Sequence, residues 1–271
     1  MAVALPLRLA AAAAGLVALV AAGAVSATRP APKPPVSAVR LGVAAPPAPT
    51  DPAGRVYLEE GFENDLAHAL SGRLKTPAEI VRLSPDEAEA ALRDGRVDLL
   101  IARAGPDAAS RRDVKVIPAG YASGVGAALR SDTDIHAWSD LRGRTACVSE
   151  ANAAGRRLAE DHGARLRLTS APAPALIDLR TGLCDVSIHD AAQLKPLLSK
   201  RIWRKFSSTL PEVAPTSLAV LVSARQPDLA EWAAEATAAI AGGAGGDTRA
   251  ASWASMVDFE VYRDQVAADC H

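Results

Sequence analysis

The groups in this sequence that could do chemistry stand at the ends of apolar runs. Glu150 directly follows Thr145-Ala146-Cys147-Val148-Ser149, Asn152 comes just after it, and His189-Asp190 closes the run from Cys184. A carboxylate at a strand end can move a proton or hold a cationic solute. An Asn ahead of a helix caps it, and the helix N-terminus favours an anion. Asp190 precedes AAQLKPLL and is equally placed to cap that segment. No G-x-S-x-G, HExxH or P-loop pattern occurs. Ser-His-Asp combinations can be drawn from any chain with 5 histidines and carry no weight. An enzyme is not expected. A cleft reaction would turn on Glu150, whose plainer reading is a surface acid at a helix start.

The elements that must position these residues alternate. Val39 to Ala44 reads as a strand, and Gly61 to Leu74 as an amphipathic helix. Ala78 to Leu83 is a second strand. Ser84-Pro85-Asp86-Glu87 starts a helix with a cap, Pro at the first position and acids in the first turn. That helix closes on Gly95, and Arg96 to Ala102 is a buried strand. The order repeats with strands at Thr145–Ser149, Arg165–Thr169 and Cys184–His189, and helices at Ala153–Asp161 and Pro174–Thr181. This β/α alternation implies mostly parallel sheets flanked by helices, and two similar halves imply two lobes. Ligands in such sheets bind beyond the carboxyl ends of the strands. The places to look are therefore just after Ala44, Ala102, Ser149 and His189. Pro215–Val222 reads as a returning strand and Asp228–Ile240 as a helix. AGGAGGD is a break, and a last helix from Thr248 to Met256, with the tail, is expected to pack on lobe 1.

The chain has 271 residues with 30 Lys+Arg against 31 Asp+Glu, so it lacks the basic excess of a nucleic-acid binder. A hydrophobic fraction of 49% excludes a disordered chain, and 3 cysteines exclude a disulfide scaffold. Residues 1–27 read as a signal peptide: Arg8, an apolar run from Leu9 to Val25, then Val25-Ser26-Ala27 for cleavage. An uncleaved anchor is the alternative, and both place the remainder outside the cytoplasm. Residues 28–38 are a Pro-rich linker. Thiols outside the cytoplasm tend to pair. Cys147 and Cys184 share a half of the chain and are expected to bridge, with pairing of either to Cys270 as the alternative. Cys270 and His271 have no further partners for a metal, and no cofactor is expected.

Ordered segments then carry a resemblance. Arg40-Leu41-Gly42-Val43, Gly61-Phe62-Glu63-Asn64-Asp65-Leu66-Ala67 and Asp94-Gly95-Arg96-Val97-Asp98-Leu99-Leu100 come first. Arg111 ten residues before Tyr121, Tyr121-Ala122-Ser123-Gly124, Asp140-Leu141-Arg142-Gly143-Arg144-Thr145, and Gly182-Leu183-Cys184-Asp185 with Asp190 follow. In this order they resemble the extracytoplasmic solute-binding proteins of ABC transporters that bind polar amino acids. The resemblance implies a two-lobed periplasmic-binding-protein-like α/β fold with a two-strand hinge. It implies lobe 1 over 39–124 and 215–271, and lobe 2 over 125–214. It implies that Arg111 grips a ligand carboxylate bidentately and that Asp190 takes its ammonium, so that neither charge is buried alone. His189 beside Asp190 is similar to a pair in glutamine-binding relatives, with a structural or rim role as the alternative; Tyr121, with Tyr57 in reserve, is the candidate aromatic for a hinge or pocket wall, with packing as its alternative.

Three departures stand out. Ala44-Ala45-Pro46-Pro47-Ala48-Pro49 lacks the aromatic residues that relatives present there. The stretch before Arg111 lacks the relatives' Thr. Their G-T-T reads Ala151-Asn152-Ala153. The expected function is extracytoplasmic binding of a small polar solute, an amino acid or analogue, by a monomer that delivers it to an ABC-type permease. The alternative is a sensor or accessory protein with an altered pocket, and a cleft dehydratase or lyase is third.

Overall fold

The computed structural model describes residues 37–45, 54–74, 76–242 and 246–265. The signal peptide, nearly all of the linker, Pro46–Pro49 and Cys270 lie outside the described residues. Among those described, no helix is long and apolar enough to cross a membrane.

The first half builds β1 (Val39–Val43), α1 (Glu63–Arg73), β2 (Ala78–Arg82), α2 (Pro85–Arg93) and β3 (Leu99–Ala104). β1 lies between β2 and β3 and is parallel to both. Leu66 and Leu70 recur one helical turn apart on α1, and both are fully buried with Leu41 and Ile101 of the sheet. Each such side chain contributes about 1.5–3 kcal/mol on leaving water. Ser84 stands at the start of α2, with Pro85 at its first position, but makes no side-chain cap bond.

Two long strands join the halves. β4 (Val114–Leu129) runs antiparallel to a strand near the end of the chain, from Val114 opposite Ser223 to Val125 opposite Val213. The second half builds β5 (Thr145–Ser149), α3 (Ala153–Asp161), β6 (Arg165–Thr169), α4 (Pro172–Arg180), β7 (Val186–Asp190) and α5 (Ala191–Leu198). β5 lies between β6 and β7, parallel to both, so the arrangement of the first half recurs. After a short β8 (Ser208–Thr209), β9 (Val213–Ser223) returns between β3 and β4. The sheet order is β2-β1-β3-β9-β4-β7-β5-β6. One end of β4 pairs with β7 and one end of β9 with β3, so these two strands are the hinge of a two-lobed α/β fold. Two helices finish the chain, α6 (Pro227–Ala241) and α7 (Gly246–Asp264).

Two features of these elements have physical causes. β4 is a 16-residue strand in a stretch where Pro118, Gly120, Gly124 and Gly126 suggest turns. The sheet absorbs them at two register shifts, between Pro118 and Ala122 and between Ser123 and Val125, and Gly120 has φ 73°. α7 runs past Met256 to Asp264, because Trp253, Ala254, Val257 and Val261 keep burying one face. It packs on α4 and α5, and through Trp253 and Glu260 it also bonds to the segment ahead of α1.

The Cys147–Cys184 disulfide forms across a Cα–Cα distance of 5.8 Å. It links β5 to the turn before β7, beside the Asp178 carboxylate of α4.

Candidate functional site

The carboxyl ends of β3, β5 and β7 face the segment that leads into α1. That segment carries three acids, Glu59, Glu60 and Glu63, around Gly61. Gly61 has φ 81°, a left-handed conformation that costs glycine little, and a Cβ there would collide with the Glu63 carboxylate. This turn sends Glu60 toward the second lobe and Glu63 toward β3. α7 steadies it from outside: Trp253 Nε1 donates to the Glu59 carbonyl at 3.0 Å, and Leu58 N donates to Glu260 Oε1 at 2.9 Å. Gly61 N also donates to Gln193 Oε1 of α5 at 3.3 Å.

The Glu60 carboxylate is saturated by donors of the second lobe. Oε1 accepts from Asp190 N at 2.7 Å and lies 3.2 Å from His189 Nδ1. Oε2 accepts from Ser149 Oγ at 3.0 Å and Asn152 Nδ2 at 3.2 Å. The side chain is 6% exposed. Burial alone would raise its pKa, but the His189 charge and these donors outweigh it and hold the carboxyl below its ordinary range. Asn152 also caps α3, its Oδ1 accepting from Gly155 N at 2.7 Å.

A second link crosses beside the first. Arg103, at the end of β3, donates from Nε to Glu63 Oε1 and from Nη2 to Asp190 Oδ2, each at 2.6 Å. Its guanidinium also lies 5.1 Å from the centre of the Tyr121 ring. Burial acts to lower the Arg103 pKa, but Glu63 and Asp190 together raise it, so the group stays charged. Burial raises the Asp190 pKa, with Arg103 opposing. Asp190 Oδ1 is buried and has no hydrogen bond among the described residues. The Ser123 hydroxyl, which donates to the Gly124 carbonyl at 3.1 Å, also acts on the Asp190 carboxyl and opposes the effect of burial, and the Tyr121 hydroxyl stands beside the same carboxyl.

A cavity of about 350 Å³ opens between these links. Glu60, Glu63, Arg103, Asn152, His189 and Asp190 line it, with Ala44, Ala45, Leu100 and Val125 supplying apolar wall. No Phe, Tyr or Trp lines it among the described residues.

The residues singled out in the sequence divide. Asp190, His189 and Asn152 come together in this cavity. Arg111 does not join them. Its guanidinium pairs with Glu89 at 2.7 Å and Asp113 at 3.3 Å beside a separate depression, and the guanidinium that reaches Asp190 is that of Arg103. The reason is local: Pro106–Ser110 forms a 3-10 turn that carries the chain outward from the end of β3 before Arg111. Glu150 is exposed and does not line the cavity. Tyr121 lies behind Arg103, edge-on to Phe62 with ring centres 4.7 Å apart, and burial raises its pKa. Ser187, His189 and Glu60 form a chain, with Ser187 Oγ 2.6 Å from His189 Nε2. It has the composition of a nucleophilic triad, but Ser187 is wholly buried and does not line the cavity. Its hydroxyl can only fix the imidazole. Sequence reasoning missed Glu60 and Arg103. Arg103 directly follows Ala102, one of the strand ends where a ligand was to be sought, while Glu60 lies in a coil without periodicity.

The model of the bacterial extracellular solute-binding proteins, family 3, matches residues 40–243. No curated protein matches the chain. Among solved structures, an ancestral cationic amino acid solute-binding protein superposes with TM-score 0.52 at 18% identity, covering 83% of this chain and 96% of its own. The ligand-binding core of GluR0 in complex with L-glutamate gives 0.51 at 17% identity, covering 84% and 99%. A mutant of ArgBP from T. maritima gives 0.51 at 17% identity, covering 83% and 96%. These likenesses are of fold.

Proposed function

The chain belongs to family 3 of the bacterial extracellular solute-binding proteins, and from that premise we propose that it binds a small polar solute, an amino acid or an analogue of one, between its lobes. It acts outside the cytoplasm as a monomer and delivers the solute to an ABC-type permease. The observation that carries this reading is Asp190: a buried carboxylate in the cavity at the hinge, with one oxygen on Arg103 and the other without a hydrogen bond beside the neutral Tyr121 and Ser123 hydroxyls. Such an oxygen costs free energy until a cationic donor reaches it. The fold neighbours named for cationic amino acids and L-glutamate agree with a solute of this size.

The test is calorimetry on protein unfolded, stripped of carried-over solute and refolded, against the amino acids and their decarboxylated amines. Saturable heat with at least one compound, lost in Asp190→Asn, is expected. Absence of heat with every compound overturns the reading.

One observation favours the sensor or accessory alternative. Glu60 itself occupies the donors of the second lobe and ties the lobes to one another through its own carboxylate. A permease gene beside this one supports delivery, and a kinase gene there supports sensing.

A further inference from the structure

The anion-receiving part of the cleft already contains an anion. Four donors converge at the carboxyl ends of β5 and β7 and at the start of α3: Ser149 Oγ, Asn152 Nδ2, the Asp190 backbone N–H and His189 Nδ1. All four meet the carboxylate of Glu60, delivered from the opposite lobe. A helix start with a strand-end N–H is where a solute carboxylate would be held, and a second carboxylate could enter only by expelling Glu60 from a buried, fully bonded place.

The cation-receiving part has the opposite character. Arg103, the one guanidinium bonded within this cluster, is divided between Glu63 and Asp190. The buried cluster holds three carboxylates, Glu60, Glu63 and Asp190, against Arg103 and His189. Even with His189 protonated it is one positive charge short. Asp190 Oδ1, which makes no hydrogen bond among the described residues and has only the neutral Tyr121 and Ser123 hydroxyls beside its carboxyl, belongs to a side chain only 8% exposed that lines the cavity. At the margin Glu59 is paired with Arg82 and Glu89 with Arg111, so the uncompensated negative charge is that of the buried cluster itself. A solute that matches this balance brings a positive charge and no negative one.

We infer that the cleft takes a small cation without a carboxylate, an aliphatic amine or guanidine, and that Glu60 stands in for the carboxylate an amino acid would bring. This deepens the solute-binding reading and rests on it. The amine or guanidinium donates to Asp190 Oδ1, and its aliphatic part lies against Ala44, Ala45, Leu100 and Val125.

The experiment is calorimetry with two pairs of probes that differ only in the carboxylate, agmatine against arginine and cadaverine against lysine. Wild-type protein is expected to bind each decarboxylated member at least about tenfold more tightly, since a tenfold ratio needs only about 1.4 kcal/mol. In Glu60→Ala the donor set is vacated, and the preference should fall to parity or reverse. Glu60→Gln fills the place without charge, so amine affinity should drop with no gain for the amino acids. Circular dichroism checks that the variants fold, and the wild-type ratio stands without them. Equal or tighter binding of arginine and lysine by wild-type protein overturns this inference and leaves the solute-binding reading intact. Silence with these four and with all other amino acids overturns both.

Discussion

Replacing Glu60 by Gln probes how strongly a single carboxylate holds the two lobes together. Wild-type Glu60 presents two charged oxygens to four donors at 2.7–3.2 Å, in a site where its side chain is 6% exposed. Gln keeps one neutral oxygen and turns an amide N–H₂ toward groups that are themselves donors. Removing one partner of such a buried charged set costs about 3–5 kcal/mol. For a chain of this size that lowers the melting temperature by about 6–20 °C. The deficit must also depend on pH in one direction. The folded-state pKa of Glu60 is depressed, so its contribution is present above the ordinary carboxylate pKa and is lost as pH falls through the folded value. Calorimetric melts of both proteins from pH 8 to pH 3 should therefore show a wide gap near neutrality that narrows in acid. Equal melting temperatures at neutral pH, or a gap that is constant with pH, would refute the reasoning.

Arg103→Met leaves Glu63 and Asp190 facing one another without a cation, and denaturant unfolding should show a loss of about 3–5 kcal/mol. Arg111→Ala removes only a surface pair with Glu89 and Asp113, which are 53% and 60% exposed. It should change stability by less than about 1 kcal/mol and leave solute affinity unchanged in titration. Reduction of the Cys147–Cys184 bridge, with a sequence separation of 37, should cost about 3–4 kcal/mol on the chain-entropy estimate. Melts with and without reductant measure it.

Much of the architecture could be read from the sequence, because alternating apolar runs and capped helices are local signals. β5, α3, β6 and α5 begin and end where their patterns do. β4 could not be read so, because its proline and glycines are tolerated only through register shifts against β9, a partner distant in the chain. The site divided along the same line. Asp190 and Asn152 stand at ends of elements with clear patterns, and their positions in the cavity follow from topology. Glu60 was illegible because its role depends on a coil folded over by Gly61 and tied down by α7, which no periodicity records. Arg111 drew attention through its spacing from Tyr121, whereas the sheet topology had already pointed past Ala102 to Arg103. Where spacing and topology disagreed, topology located the guanidinium that meets Asp190.

The most direct measurement is a crystal structure of the protein grown with the tightest-binding compound from the titration panel. Density is expected between the lobes, with a cationic nitrogen within hydrogen-bonding distance of Asp190 Oδ1 and Glu60 still seated on Ser149 and Asn152. Density beside Arg111 instead, with the space next to Asp190 unchanged, would contradict that expectation.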